Sequence, residues 1–237
     1  MDMWSPWHGC RKISAGCQNC YVYARDASVG KDASIISRTK SFDLPLKRKR
    51  DGSFTIPSGS RLFTCGTTDF FLQEADDWRK EAWRIMYLRP DVVFTIVTKR
   101  PHRFYESLPK DYGPGYSHIH FYCTVEDQSA AESRLPLFLN LPIPYKGINC
   151  EPLLGPVDLT PALKNGGIRK VSVGGESGPH GRPLHYEWVV DVKRQCDACF
   201  TPFHFKQTGT HFKKDGKCYT IPRKLQMLQA QKAGLDT

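Results

Sequence analysis

No stretch of this 237-residue sequence is apolar for long enough to cross a membrane. The longest strand-like runs, such as Val92–Val97, fall far short of the roughly 20 residues a spanning helix needs. The start, Met1-Asp2-Met3-Trp4-Ser5-Pro6, lacks the basic region and apolar core of a secretory leader. There is no self-similar repeat and no low-complexity tract. Acidic residues are in deficit, 24 Asp and Glu against 34 Lys and Arg, for a formal charge of +10. These absences exclude a membrane-spanning helix and a repeat array. They predict a soluble, cytoplasmic protein with no membrane partner. The basic balance favours a polyanionic partner, DNA or RNA, because cations placed near phosphates release counterions. The alternatives are simple solubility or an anchor for a small anionic substrate.

What is present reads as globular, with 40% hydrophobic and 12% aromatic residues. Cys20–Val29 reads as a helix. The stretch from about 30 to 60 is an irregular basic insertion whose Lys47-Arg48-Lys49-Arg50-Asp51-Gly52 is a solvated turn or hairpin tip, or else a phosphate-contacting arm. Strand-like runs follow at Arg61–Gly66, Val92–Thr98, His118–Val125, Lys146–Cys150, Ile168–Gly174 and Pro202–Lys206. Helix-like runs lie between them at Asp76–Leu88, Pro101–Leu108, Gln128–Leu139, Pro161–Lys164 and Tyr186–Cys196. Such alternation predicts an α/β fold with a mainly parallel sheet, either a partial (β/α) barrel or an open doubly wound sheet. Several strands read as apolar throughout, as when both faces are covered. The organisation is that of one domain over 1–237 with a C-terminal extension at about 208–237. Its tail, Leu225–Thr237, is expected to be a helix with frayed ends.

Each strand ends in small polar or charged residues: Thr67-Thr68-Asp69, Thr98-Lys99-Arg100, Glu126-Asp127, Glu151, Glu176-Ser177 and Lys206-Gln207. In parallel α/β folds ligands bind at the carboxyl ends of the strands, so these groups are the expected pocket. Gly174-Gly175-Glu176 lacks both G-x-G-x-x-G and Walker spacing, which excludes a phosphate-cradling loop there.

The most specific chemistry lies in Gly9-Cys10-Arg11-Lys12-Ile13-Ser14-Ala15-Gly16-Cys17-Gln18-Asn19-Cys20-Tyr21. Three of the nine cysteines fall within eleven residues, and in a reducing compartment such a set suggests metal ligation. Arg11 and Lys12 would offset an anionic cluster. Three thiolates on a four-iron cluster leave one iron open for chemistry. The competing reading is zinc closed by a fourth ligand such as His8, or a zinc site at Cys196, Cys199 and Cys218 with His204 or His211. A second cluster at those C-terminal cysteines is a further alternative to three ordinary thiols.

The segments Trp4-Ser5-Pro6-Trp7-His8-Gly9-Cys10, Gly16-Cys17-Gln18-Asn19-Cys20-Tyr21, Val97-Thr98-Lys99-Arg100-Pro101, Val125-Glu126-Asp127-Gln128, Glu151-Pro152-Leu153-Leu154-Gly155-Pro156, Gly174-Gly175-Glu176-Ser177-Gly178 and Phe205-Lys206-Gln207 resemble the three-cysteine-motif phage protein family. That family is a domain of unknown function, distantly similar to radical SAM enzymes such as spore photoproduct lyase. The resemblance implies a partial (β/α) barrel of the radical SAM type. It implies a [4Fe-4S] cluster on Cys10, Cys17 and Cys20, with S-adenosyl-L-methionine as cosubstrate. It also implies an electron donor such as flavodoxin or ferredoxin, and reductive cleavage to a 5′-deoxyadenosyl radical. The spacing here, C-x6-C-x2-C, departs from the usual C-x3-C-x2-C, and Asn19 stands where an aromatic is usual. By order along the chain, Thr67 and Asp69 would receive the methionine ammonium. Lys99 or Arg100 would pair with its carboxylate, and Glu126 or Asp127 would accept ribose hydroxyls. Glu151 and Glu176 would hold a cationic or hydrogen-bonding part of cosubstrate or substrate. Asp127 reads equally as a helix cap. Cys123 and Cys150 are candidate hydrogen-atom donors, or small buried hydrophobes. A nucleic acid or nucleotide-like substrate, a small metabolite, and a non-catalytic nucleic-acid-binding module all remain open at this level.

Overall fold

A computed structural model describes residues 2–237. The strands, in chain order, are β1 (Asp2–Trp4), β2 (Trp7–His8), β3 (Ser37–Arg38), β4 (Arg61–Thr64), β5 (Val93–Thr98), β6 (Ile119–Thr124), β7 (Tyr145–Cys150), β8 (Ile168–Gly174), β9 (Leu184–His185), β10 (Phe203–Gln207), β11 (His211–Lys214) and β12 (Lys217–Thr220). The α-helices are α1 (Tyr21–Ser28), α2 (Asp76–Tyr87), α3 (Gln128–Asn140), α4 (Thr160–Lys164), α5 (Tyr186–Ala198) and α6 (Arg223–Lys232). The fold is mixed α/β, and its main sheet has seven strands in the order β1-β4-β5-β6-β7-β8-β10. The pairs β1–β4, β4–β5, β7–β8 and β8–β10 run parallel. The chain clusters into two compact units. The first takes the residues up to Arg11, Val22–Tyr122 and Asn140–Tyr145; the second takes Lys12–Tyr21, Cys123–Leu139 and Lys146–Thr237. Cys10 therefore belongs to the first unit, and Cys17 and Cys20 to the second.

In the first unit the core is aromatic. Trp83 of α2 meets Phe70 edge-on, with ring centroids 5.2 Å apart, and contacts Tyr112 and Phe121. Such edge contacts add to the area these rings bury. The strand at Asp2–Trp4 is too short for periodicity to reveal. It forms because Trp4, fully buried, donates its indole N–H to the Phe42 carbonyl at 2.9 Å while its backbone pairs with β4. The 30–60 stretch is organised from beneath by Arg89, also fully buried. Arg89 donates to the carbonyls of Pro45 and Ile56 and pairs with Asp91 at 2.9 Å. The basic run within it is a hairpin tip: Arg48 bridges Phe54 in antiparallel fashion, and Lys49 N–H donates to the Ser53 carbonyl.

In the second unit Ile148, Val171, Val173, Phe203 and Phe205 are buried with Val189, Val192 and Cys196 of α5. The smaller sheet, β12-β11-β9, places Phe212 against Phe205 and Tyr186.

Three expectations need correction. Coverage on both faces holds for only part of the sheet: residues 147–150 of β7 and 171–174 of β8 are buried at successive positions, but in β5 and β6 buried Phe94, Ile96, Ile119 and Phe121 alternate with half-exposed Thr95, Val97, His120 and Tyr122. That period of two belongs to a sheet covered on one face, and the polar members of the pattern carried the signal. The helix expected at Pro101–Leu108 is only a 3-10 turn over Pro101–Arg103. Ser107 adopts a φ of +62°, and Leu108 precedes Pro109, so helical continuation is blocked. The tail is not frayed: beyond α6, Thr237 exchanges hydrogen bonds with Phe203, and Asp236 accepts from Phe205 N–H and His204.

Candidate functional site: a three-cysteine loop and its carboxylate anchors

Cys10 lies just after β2, in the first unit. Its N–H donates to the Ala33 carbonyl at 2.8 Å, and its carbonyl accepts from the Tyr23 hydroxyl at 2.5 Å. The chain reaches this position through Gly9 at φ +91°, where a Cβ would stand 2.4 Å from the Ile35 carbonyl oxygen; only glycine fits. Cys17 closes a 3-10 turn over Ala15–Cys17 in the second unit, and Cys20 N–H donates to the Cys17 carbonyl at 3.4 Å. All nine cysteines are thiols. Cys10, Cys17 and Cys20 are half-buried, whereas Cys65, Cys123, Cys150 and Cys196 are in the core.

A residue next to or near each of the three cysteines is held by a carboxylate system from a strand end, through backbone near Cys10 and Cys17 and through the Asn19 side chain before Cys20. Within the first unit, Asp69 follows β4 and is buried. Its carboxylate accepts from Phe71 N–H, Thr98 Oγ1, Lys99 N–H and the Arg100 guanidinium, at 2.8–3.0 Å. Arg100 then donates to the Arg11 carbonyl at 2.6 Å, one residue past Cys10. Within the second unit, Glu126 follows β6 and is completely buried. Arg134 of α3 neutralises it at 2.6 Å, while Ser14 Oγ and Gly16 N–H donate to the same carboxylate just before Cys17. Also in the second unit, Glu176 follows β8 and accepts from Asn19 Nδ2 at 3.0 Å, immediately before Cys20. Its partner Arg182 donates to the Ala15 carbonyl at 2.8 Å. Burial pushes the Glu176 carboxyl up, but the hydrogen bonds from Arg182 and Asn19, with the Arg182 charge, outweigh it and hold the group below the usual range. Gly175 is required here because its Cβ would stand 2.5 Å from the Thr208 carbonyl oxygen.

Asp69, Glu126 and Glu176, expected as cosubstrate ligands, are thus found spending their acceptors on the loop or its supports. Arg134, Arg182 and Ser14 were not singled out in the sequence. The usable signal was that a carboxylate in an apolar stretch needs a cation, which directs attention to the nearest arginines in the chain. Asp127 caps α3, accepting from Ala130 N–H at 2.8 Å.

The remaining strand-end groups have more capacity. Thr67 is buried in the turn after β4. The half-exposed Lys99 ammonium makes no ion pair among the described residues. Glu151 pairs with Lys206 at 2.6 Å and accepts from Gln207 at 2.7 Å; Lys206 is largely exposed. Cys123 and Cys150 are fully buried. Cys150 is held neutral first by burial and then by neighbouring Cys196 of α5 and Cys123.

Among the described residues no group of three or more His, Cys, Asp or Glu is assembled as a metal site. That holds equally for the N-terminal cysteines and for Cys196, Cys199 and Cys218. As donors the N-terminal three are half-buried thiols within eleven residues of sequence, soft ligands of the kind iron–sulfur clusters take. His8, the fourth ligand a zinc site would recruit, has Nε2 engaged by buried Asp26 at 2.6 Å, which leaves Nδ1.

Residues 1–235 match the family described as "Protein of unknown function (DUF5131)", and the chain belongs to that family. No curated protein and no solved structure matches it.

Proposed function

We propose that the protein is a radical SAM enzyme with a partial-barrel fold, in which Cys10, Cys17 and Cys20 hold a [4Fe-4S] cluster and S-adenosylmethionine is the cosubstrate. The observation that supports this reading is the anchoring of the cysteine loop. A structural loop needs no buried ionic anchor beside every cysteine, because buried pairs cost desolvation that apolar packing avoids. A loop that must present three thiols in fixed positions does. When bound, the cluster supplies the electron that divides the cosubstrate into methionine and a 5′-deoxyadenosyl radical.

The chain's own residues do the rest. Asp69 acts through Arg100, Glu126 through Ser14 and Gly16, and Glu176 through Asn19 and Arg182; all three are positioning residues. Lys99 supplies the cation for the methionine carboxylate, since Arg100 is already committed to Asp69 and Arg11. Thr67 offers a hydroxyl acceptor to the ammonium. Glu151 with Lys206 offers a donor and an acceptor to a ribose or to the substrate. A nucleic acid or nucleotide-like substrate is the reading favoured by the basic balance. Cys123 and Cys150 face the core and serve packing rather than radical relay.

The test is anaerobic reconstitution with iron and sulfide, then dithionite reduction with S-adenosylmethionine. Formation of 5′-deoxyadenosine that disappears in Cys17→Ala is the expected result; reduced, cluster-loaded protein that yields none would reject the enzyme reading.

A further inference from the structure

The C-terminal hairpin carries a cluster of cations without ion-pair partners among the described residues. Strands β11 and β12 are joined by Asp215-Gly216, both at positive φ (+51° and +73°), as a two-residue hairpin turn requires. The register sets Lys214 directly opposite Lys217. Like charges facing each other across a strand pair are destabilising. Lys213, one position earlier on β11, points to the opposite face of the hairpin, and Arg223 and Lys224 occupy the first turn of α6, which contains no acidic residue. Cations at that end of a helix oppose its dipole. None of these five cations makes an ion pair among the described residues, although arginines elsewhere in the same unit do, as Arg134 and Arg182 show. Two separate local rules are broken with the same sign in one short segment.

The face that bears Lys214 and Lys217 also bears aromatics. Tyr219 lies two positions along β12 from Lys217 and is 47% exposed, and Lys214 Nζ stands 4.6 Å from the Tyr186 ring. Protection of a sheet edge accounts for a lysine on β12, the outermost strand. It extends to Lys214, which lies beyond the two positions of β11 that β9 pairs, but not to Arg223 and Lys224 on a helix, nor to the placement of two lysines directly opposite each other. An external polyanion relieves both conflicts at once, and exposed aromatics interleaved with cations suit a chain of phosphates carrying flat bases.

We propose that the β11–β12 hairpin and the first turn of α6 form a nucleic-acid-binding surface, with Lys214, Lys217, Arg223 and Lys224 on the phosphates and Tyr219 stacking on a base. This rests on the nucleic-acid part of the function proposed above and not on the cluster.

The test uses the full chain and measures anisotropy of a labelled mixed-sequence oligonucleotide, as single-stranded DNA, single-stranded RNA and duplex, across a salt series. Wild type is compared with a combined Lys214→Ser, Lys217→Ser variant and with Arg223→Ser, Lys224→Ser. A Lys47→Ser, Lys49→Ser, Arg50→Ser variant serves as a control for general basicity. These side chains are at the surface, so matching circular dichroism and urea midpoints establish folding. Affinity at low salt is expected to fall by on the order of tenfold or more in the hairpin variant. Its salt slope should become shallower by roughly one per cation removed, and the control should change far less. Tyr219→Ala should weaken single-strand binding without changing the slope. If wild type binds and the hairpin variants bind equally well, the hairpin assignment is overturned while the nucleic-acid reading stands. If wild type binds no oligonucleotide, or prefers anionic vesicles, both are overturned.

Discussion

Asp69 illustrates how much one carboxylate does in this protein. Its four hydrogen bonds join the turn after β4 to the end of β5, and through Arg100 to the carbonyl beside Cys10. Asp69→Ala leaves Arg100 as a buried charge without its counter-ion, a change that typically costs about 3–5 kcal/mol. A loss of that size in urea unfolding, with metal uptake weakened in parallel, is expected; a loss below about 1 kcal/mol, as for an exposed pair, would contradict the positioning role. His120 makes a second case. It stacks on Tyr145 with ring centroids 3.7 Å apart, and burial, then the charges of Arg61 and His118, depress it to about 4. Its ordinary value is about 6.5, so between these values the unfolded chain binds the extra proton. His120 therefore stabilises the fold above about pH 6.5, and that contribution is lost as pH falls toward 4. The urea midpoint of His120→Phe, which keeps the aromatic stack, should fall less over this range than that of wild type. Parallel curves would show that His120 titrates normally.

At the scale of elements, the 30–60 segment depends on a residue far from it in sequence. Arg89 follows α2 and satisfies the carbonyls of Pro45 and Ile56, with its guanidinium 3.9 Å from the Phe54 ring. Arg89→Ala leaves those two carbonyls without their donor, at about 1–3 kcal/mol for each buried group, while Asp91 keeps Ser58 Oγ. The expected outcome is early proteolytic cleavage at Lys47–Arg50 while the sheet stays intact; cleavage unchanged from wild type would show that the segment holds itself. The same scale explains what the sequence disclosed. Long periodic elements such as α2, α3 and α5 and the strands β5–β8 were legible because their patterns extend over several residues. The Asp2–Trp4 strand and the Leu184–His185 strand were not, being too short for a pattern and fixed only by tertiary partners. The β11–β12 hairpin was overlooked although Asp215-Gly216 is a strong turn signal, because the flanking residues are lysines and not alternating apolar ones.

Across the whole molecule, the cysteine loop was the most legible chemistry, and its supports the least. Thiol spacing is local and can be read directly. A fastening such as Asn19 to Glu176, 157 residues apart, exists only once the strands are in register. For a carboxylate at a strand end, sequence gives the position on the strand but not whether an internal partner already fills its lone pairs. The distinction carries into function, since residues that position the loop should alter cluster retention, whereas those that touch a ligand should alter its affinity. Lys99 and Glu151 fall in the second group under this account, and Asp69, Glu126 and Glu176 in the first.

The most direct measurement is the iron, acid-labile sulfide and zinc content of oxygen-free wild-type protein beside Cys10→Ala, Cys17→Ala and Cys20→Ala. The account requires about four irons and four sulfides per chain in wild type, lost in each variant. Stoichiometric zinc with no sulfide would contradict it.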